Sequence, residues 1–395
     1  MQATHGSAVS FRSRGRLIGC CMALALALSA VVFAPAAANA QAPPTTTYLA
    51  LGDSISFGYT AEKFNIHAPN ESPSYFDEGF TNYFTTSYLK KNTEIGKSVR
   101  LVNDGCPGET SNGLIGENES LGGETSTEGP GKPQGPGDWH PCAYHFVDGL
   151  PLHNSLGTLS QLEDAISILT SNNPYTGKPN PVGAISVNMG SNDELAGIEE
   201  CKIETTKEFE TGFVAFQPKP PAPGGKVYGP LNGEPAHDQP IEFAAFQACV
   251  AGKAQYVTTP RIVKNTVDVA KKLDEVGGYT GPIVVLGFYN PDANVLPGSD
   301  VLQEFVNTEV KAGLEASGLT NIHWANPMPK FNHLPGTANQ EKVAIAKFTE
   351  MCNPNVQKVE TGLAPGCEGD IHPSLAGYHY LAKLANEAYL APAIP

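Results

Sequence analysis

Four short blocks of this 395-residue chain carry residue types that act together in acyl transfer: Gly52-Asp53-Ser54-Ile55-Ser56, Pro107-Gly108-Glu109-Thr110-Ser111, Gly190-Ser191-Asn192-Asp193 and Asp370-Ile371-His372-Pro373. A serine hydroxyl becomes nucleophilic when a base stands within hydrogen-bond reach, and His372 is the candidate base for Ser54. The tetrahedral oxyanion needs fixed donors, which the N–H groups of Ser54 and Gly108 and the side-chain amide of Asn192 supply. Asp370, two residues before His372, is the candidate to orient the imidazole. A Ser-His dyad with a backbone carbonyl as the orienter is the alternative. Taken singly each block is common, because Gly-Asp-Ser tripeptides are mostly turns. Asp53 and Asp193, beside the motifs, are read as caps or braces of those turns.

The blocks gain weight from the elements that must position them. Apolar runs at 48–51, 98–103, 182–187, 282–288 and 321–325 predict strands, and the first three stop at a block. Helical spacing of apolar residues covers 72–92, 158–172, about 241–276, 300–316 and a last stretch from 374 to about 389. Strand and helix alternate, which predicts a parallel sheet covered on both faces. In a sheet of order 2-1-3-4-5 the second and third strands flank the first, so three blocks meet at its carboxyl edge and the His372 segment folds back over them. Tracts at about 113–150 and 210–240 are rich in Gly, Pro and Glu without apolar periodicity and are read as loop insertions.

Residues 1–40 hold Arg12, Arg14 and Arg16, no acidic residue, an apolar run from Leu17 to Phe33 and the small residues Ala38-Asn39-Ala40. This is the layout of a secretory signal peptide, cleaved after Ala40. The run is short for a bilayer span, which needs about 20 apolar residues, so a secreted product without a stable membrane anchor is expected. The remaining 355 residues, 41–395, suffice for one large domain and carry 22 Lys and Arg against 40 Asp and Glu, a net charge near −18. That charge excludes nucleic acid as a partner, because its phosphates would be repelled. A monomer is expected.

Six cysteines follow the leader: Cys106, Cys142, Cys201, Cys249, Cys352 and Cys367. An even number in an exported chain reads as disulfides, with fifteen possible connectivities. The sequential set 106–142, 201–249 and 352–367 is favoured, since each bridge closes a long loop-bearing segment. No Cys-x-x-Cys pair supports a metal site. There is no Walker loop, no His-Glu-x-x-His and, after residue 40, no Gly-x-Ser-x-Gly elbow. Of the other histidines, His379 is read as packing or surface, and His140, His145 and His153 as loop residues near a mouth.

Four blocks in this order on a βα pattern resemble the SGNH/GDSL hydrolase family of esterases and lipases, a likeness that spans residues 48–390. The resemblance implies a flavodoxin-like three-layer α/β/α sandwich with a five-stranded parallel sheet. It implies Ser54 as nucleophile, His372 as base, Gly108 and Asn192 in the oxyanion hole, no cofactor, and a small-molecule or lipid ester as substrate. The six cysteines are similar to those of the secreted bacterial branch, whose members commonly pair them sequentially. One position departs from the pattern: the family usually sets its aspartate three residues before the histidine, and here that residue is Gly369. An acetyl esterase acting on polysaccharide is the alternative within the fold, and a non-catalytic binding module the alternative outside enzymes.

Overall fold

The computed structural model describes residues 45–67, 70–92, 95, 98–116, 142, 150–172, 177–205, 243–294, 298–352 and 369–395. The expected signal peptide, most of both expected insertions, Cys367, His140 and His145 lie outside these residues.

Five strands, β1 (Thr46–Gly52), β2 (Val99–Asn103), β3 (Val182–Asn188), β4 (Ile283–Leu286) and β5 (Ile322–Ala325), form a sheet of order β2-β1-β3-β4-β5. Every pairing in it is parallel. Two further strands, β6 (Thr349–Glu350) and β7 (Asp370–Pro373), form a separate antiparallel pair. Helices connect and cover the sheet: α1 (Ser54–Phe57), α2 (Ala61–His67), α3 (Phe80–Tyr83), α4 (Ser111–Ile115), α5 (Gln161–Thr170), α6 (Ser191–Thr205), α7 (Phe243–Lys253), α8 (Thr259–Glu275), α9 (Ser299–Glu315), α10 (Met328–Phe331), α11 (Ala338–Phe348) and α12 (Leu375–Leu390).

Strict alternation along the strands divides the core in two. Leu49, Leu51, Ile185, Val187, Ile283 and Val285 pack with Leu162 of α5, Ile262 and Val269 of α8 and Val306 of α9. Tyr48, Ala50, Ala184, Val284 and Leu286 face the other way, against Phe80, Phe84, Phe348 and Tyr378. The architecture is therefore a three-layer α/β/α sandwich with the flavodoxin-like strand order, as expected. Fully burying one such side chain stabilises by about 1.5–3 kcal/mol, so a one-residue slip of β1, which would exchange its two faces, is strongly disfavoured.

The helix expected over 72–92 is broken instead into a 3-10 turn at Pro73–Phe76, α3, a π turn at Phe84–Tyr88 and a 3-10 turn at Leu89–Lys91. Its threonines compete with the helical ladder: Thr85 Oγ1 donates to the Thr81 carbonyl at 2.7 Å and Thr86 Oγ1 to that of Asn82 at 2.8 Å. The helix expected from 158 begins later, where Ser160 caps it. Ser160 Oγ accepts the Glu163 N–H at 3.1 Å while Glu163 Oε2 accepts the Ser160 N–H at 2.8 Å.

Candidate active site

The site is built at the carboxyl end of β1. Gly52 has φ +152°, and a Cβ there would lie 2.2 Å from the Asn188 carbonyl oxygen, so only glycine lets β1 run this close to β3. The ladder continues past the strand ends: Asp53 N–H donates to Asn188 O at 3.1 Å, and Cys106 N–H to Gly52 O at 2.9 Å. Asp53 then caps α1, its Oδ1 accepting the Ile55 N–H at 2.9 Å, and Ser54 becomes the first residue of that helix. Gln161 completes the turn from α5. Its Oε1 accepts the Gly52 N–H at 2.7 Å and its Nε2 donates to Gly52 O at 2.9 Å, both fully inside the protein.

The chain returns to this edge on β7, where Pro373 stands opposite Thr349 and Asp370 opposite Glu350. His372 Nε2 lies 2.8 Å from Ser54 Oγ, and His372 Nδ1 is hydrogen-bonded to Asp370 Oδ1. An ionised carboxylate offers no donor, so the proton of a neutral imidazole sits on Nδ1 and leaves Nε2 to accept from the serine hydroxyl. Asp370 Oδ1 also accepts the His372 N–H at 3.1 Å, and Oδ2 accepts the Ala61 N–H at 2.6 Å. Ser54, Asp370 and His372 are all buried. Tyr59 meets the His372 ring edge-on at 4.8 Å between centroids, and the Tyr289 hydroxyl donates to Ile371 O at 2.8 Å. The segment expected to fold His372 back over the edge is itself a strand; β6, its partner, is only two residues long, too short to leave a periodic trace in the sequence.

The second and third blocks are tied to each other. Asn192 Nδ2 donates to the Glu109 carbonyl at 2.9 Å, one residue beyond Gly108. Asp193 accepts from Ser111 twice, from its N–H at 2.7 Å and its hydroxyl at 2.8 Å, and from Arg261 Nε at 3.0 Å. Asn265 closes the network by donating to Ser111 Oγ at 2.9 Å and Asn112 Oδ1 at 2.6 Å. Gly108 and Asn192 thus stand beyond the ends of the two strands that flank β1, on segments whose Ser111, Asn112 and Asp193 are held by side chains from α8.

Burial drives the electrostatics. Asp53, wholly buried, has its carboxyl pushed up to about 7, more than the Ile55 N–H and the charge of His372 offset. Glu109 is pushed up to about 7 by the same cause, against hydrogen bonds from Cys142, Gln161 and Thr110. Asp370 is as deeply buried, which alone would raise it, but the His372 charge and the hydrogen bonds from the His372 ring, Ala61 and the His372 backbone hold it below its ordinary value.

Cys106 is bridged to Cys142 and Cys201 to Cys249, the first bridge fixing the loop two residues before Gly108. Cys352 is also disulfide-bonded, and Cys367, its expected partner, lies outside the described residues. His379 stacks on Tyr83 with ring centroids 3.8 Å apart. His153 does not sit free in a loop: its Nε2 is 2.9 Å from the Phe57 carbonyl. Gln161, Arg261, Asn265 and Ala61 carry no sequence signal, since each is an ordinary residue of a helix and acts only through where that helix lands. Among the described residues no group of three or more His, Cys, Asp or Glu is placed to hold a metal ion, and no helix is long and apolar enough to cross a membrane.

No protein-family model and no curated protein matches the chain. Among solved structures it is similar to a phospholipase A1 from Streptomyces albidoflavus NA297, with 12% identity and a TM-score of 0.41 over 87% of this chain and 99% of that one. It is similar to an extracellular lipase from Streptomyces rimosus, with 14% identity and a TM-score of 0.38 over 87% and 100%. It is also similar to an acetylxylan esterase from Geobacillus stearothermophilus, with 13% identity and a TM-score of 0.35 over 89% and 97%.

Proposed function

We propose that the chain is a secreted serine esterase or lipase that hydrolyses carboxylic esters through an acyl-enzyme at Ser54. The observation that carries the reading is the continuous contact from Ser54 Oγ through His372 to Asp370 at the carboxyl edge of the sheet. Ser54 Oγ attacks the ester carbonyl as His372 Nε2 takes its proton, and Asp370 steadies the imidazolium that forms. The N–H groups of Ser54 and Gly108 and the amide of Asn192 receive the charge that develops on the carbonyl oxygen. Collapse of the tetrahedral adduct breaks the C–O bond, and the departing alcohol takes the proton from His372. Water then gives a proton to His372 and attacks the acyl group, and the carboxylic acid leaves as the proton returns to Ser54. Residues 1–40 serve as the cleaved signal peptide, and the disulfides suit an oxidising compartment.

The test uses p-nitrophenyl esters of graded acyl length beside acetylated xylan and phospholipid. Ser54→Ala is expected to lower turnover by about 10⁴ or more. Equal activity in the two proteins would end the serine reading. Release of acetate from xylan with little turnover of longer acyl chains would move the assignment to a polysaccharide acetyl esterase.

A further inference from the structure

We infer that the backbone N–H of Ala61 is a positioning group of this hydrolytic site, holding one oxygen of Asp370 so that the other orients His372. The inference rests on the roles given above to Ser54, His372 and Asp370. Position 369 has no room for a side chain: a Cβ there would lie 2.5 Å from the carbonyl oxygen of Glu350 and 2.6 Å from that of Met351, because β7 runs back against β6. The carboxylate comes from residue 370 instead. Its Oδ1 already serves two groups, the ring and the N–H of His372. The torsion that turns a carboxylate is soft, so a bond to Oδ2 is what fixes the plane in which Oδ1 meets the ring. The Ala61 N–H, at 2.6 Å, is the donor that holds it.

The neighbours of Asp370 do not duplicate this donor. The buried hydroxyls of Tyr289 and Tyr378 face it electrostatically but donate elsewhere, to Ile371 O at 2.8 Å and Tyr59 O at 2.6 Å. Among the described residues Glu350, opposite on β6, and His372, on the same strand, are titratable neighbours, and Asp53 and Asp292 share with Asp370 the surroundings of Tyr289. Ala61 is free to donate because it opens α2. Thr60 Oγ1 accepts the Lys63 N–H at 3.2 Å as an N-cap does, and the N–H of the first helical residue has no partner inside its own helix. The same segment reaches the imidazole, since Tyr59 packs with Phe64 of α2 and meets His372 edge-on.

Proline fits the first helical position and removes only the N–H. Ala61→Pro therefore deletes the donor, and Ala61→Gly, which keeps it, is the reference. Relative to the glycine variant, Ala61→Pro is expected to lower kcat about 10-fold at unchanged KM and to move the acid limb of kcat/KM up by about one pH unit, because the donor offsets part of the Asp370 charge that favours the imidazolium. A lowered kcat with an unmoved limb, as a displaced helix would give, overturns the inference, and so do unchanged kinetics. Should the proline variant not fold, the Ala61 amide resonance of the ¹⁵N-labelled parent protein decides. It must titrate with the acid limb and cease to do so in Asp370→Asn; a resonance that ignores the limb refutes the role. Ser54→Ala is assayed alongside. Retained activity there brings down the hydrolytic reading and this inference with it, whereas lost activity with an unmoved limb in Ala61→Pro brings down the inference alone.

Discussion

The turn that presents Ser54 and the strand that presents His372 are held by opposite means. Ser54 stands where β1 ends between β2 and β3, with ladder bonds running up to it on both sides and Gln161 clamped on the residue two before it. His372 stands on a strand paired with only two residues, and its place comes from single contacts made by distant groups: Ala61 to Asp370, Tyr289 to Ile371, and Ser374 N–H to Phe348 O at 3.0 Å. Each half contains a buried aspartate, and the two hold their protons oppositely. Asp53 is pushed up to about 7, while Asp370 is held down. Depth does not separate them, because both are almost wholly enclosed. The charge of His372, in direct contact with Asp370, and the donors do: the Ile55 N–H with a smaller pull from the Ser191 hydroxyl on Asp53, against the His372 ring and two backbone N–H groups on Asp370.

That contrast breaks most visibly on the Asp370 side. Asp370→Asn keeps the shape but can favour the wrong imidazole tautomer, and turnover is expected to fall by about 10⁴. A loss far smaller than that of His372→Ala, measured on the same ester, would make the site a dyad. Next in size is the donor from the third block. Asn192→Ala should cost about 10²–10³ in kcat with little change in KM, as for an oxyanion donor engaged chiefly in the transition state. An effect confined to KM would relegate Asn192 to bracing the Glu109 carbonyl.

The smallest effect concerns stability, and its sign follows from the proton. Asp53 binds its proton more tightly when folded, at about 7 against an ordinary 3.8, so its contribution is fully present at low pH and is lost as pH rises through that window. Asp53→Asn retains a good capping residue and has no proton to lose. Urea unfolding should show the variant gaining on the parent between those values, by on the order of 1 kcal/mol or a few. Parallel curves would mean that the carboxylate is accommodated without cost. Asp370 works the other way, contributing stability above its ordinary range and losing it on acidification.

The sheet is legible because its strands are short apolar runs alternating with helices, three of them ending at motifs, while the order of strands comes with the family resemblance. The pairing of Asp53 with its own turn was legible too, since capping is local. What stayed hidden acts over distance. Gln161 reaches Gly52 across 109 residues, and Arg261 reaches Asp193 across 68. Neither leaves a periodic or compositional trace, because a glutamine or an arginine in the first turn of a helix is ordinary. The strand that carries His372 escaped notice for a different reason: two residues of β6 supply no alternation to detect. The helix after residue 72 is irregular although its aromatic spacing is helical, because Thr85 and Thr86 turn their hydroxyls back on the carbonyls of the preceding turn.

Gly369 also constrains how this site can change by descent. Installing an aspartate there while the β6–β7 pair stands drives its first carbon into the Glu350 and Met351 carbonyls. Removing Asp370 first strips the imidazole of its partner. A carboxylate at 369 and the β6–β7 pair therefore exclude each other, and the side chain at 369 can grow only if the backbone of residues 349–351, some twenty residues upstream, is rebuilt with it.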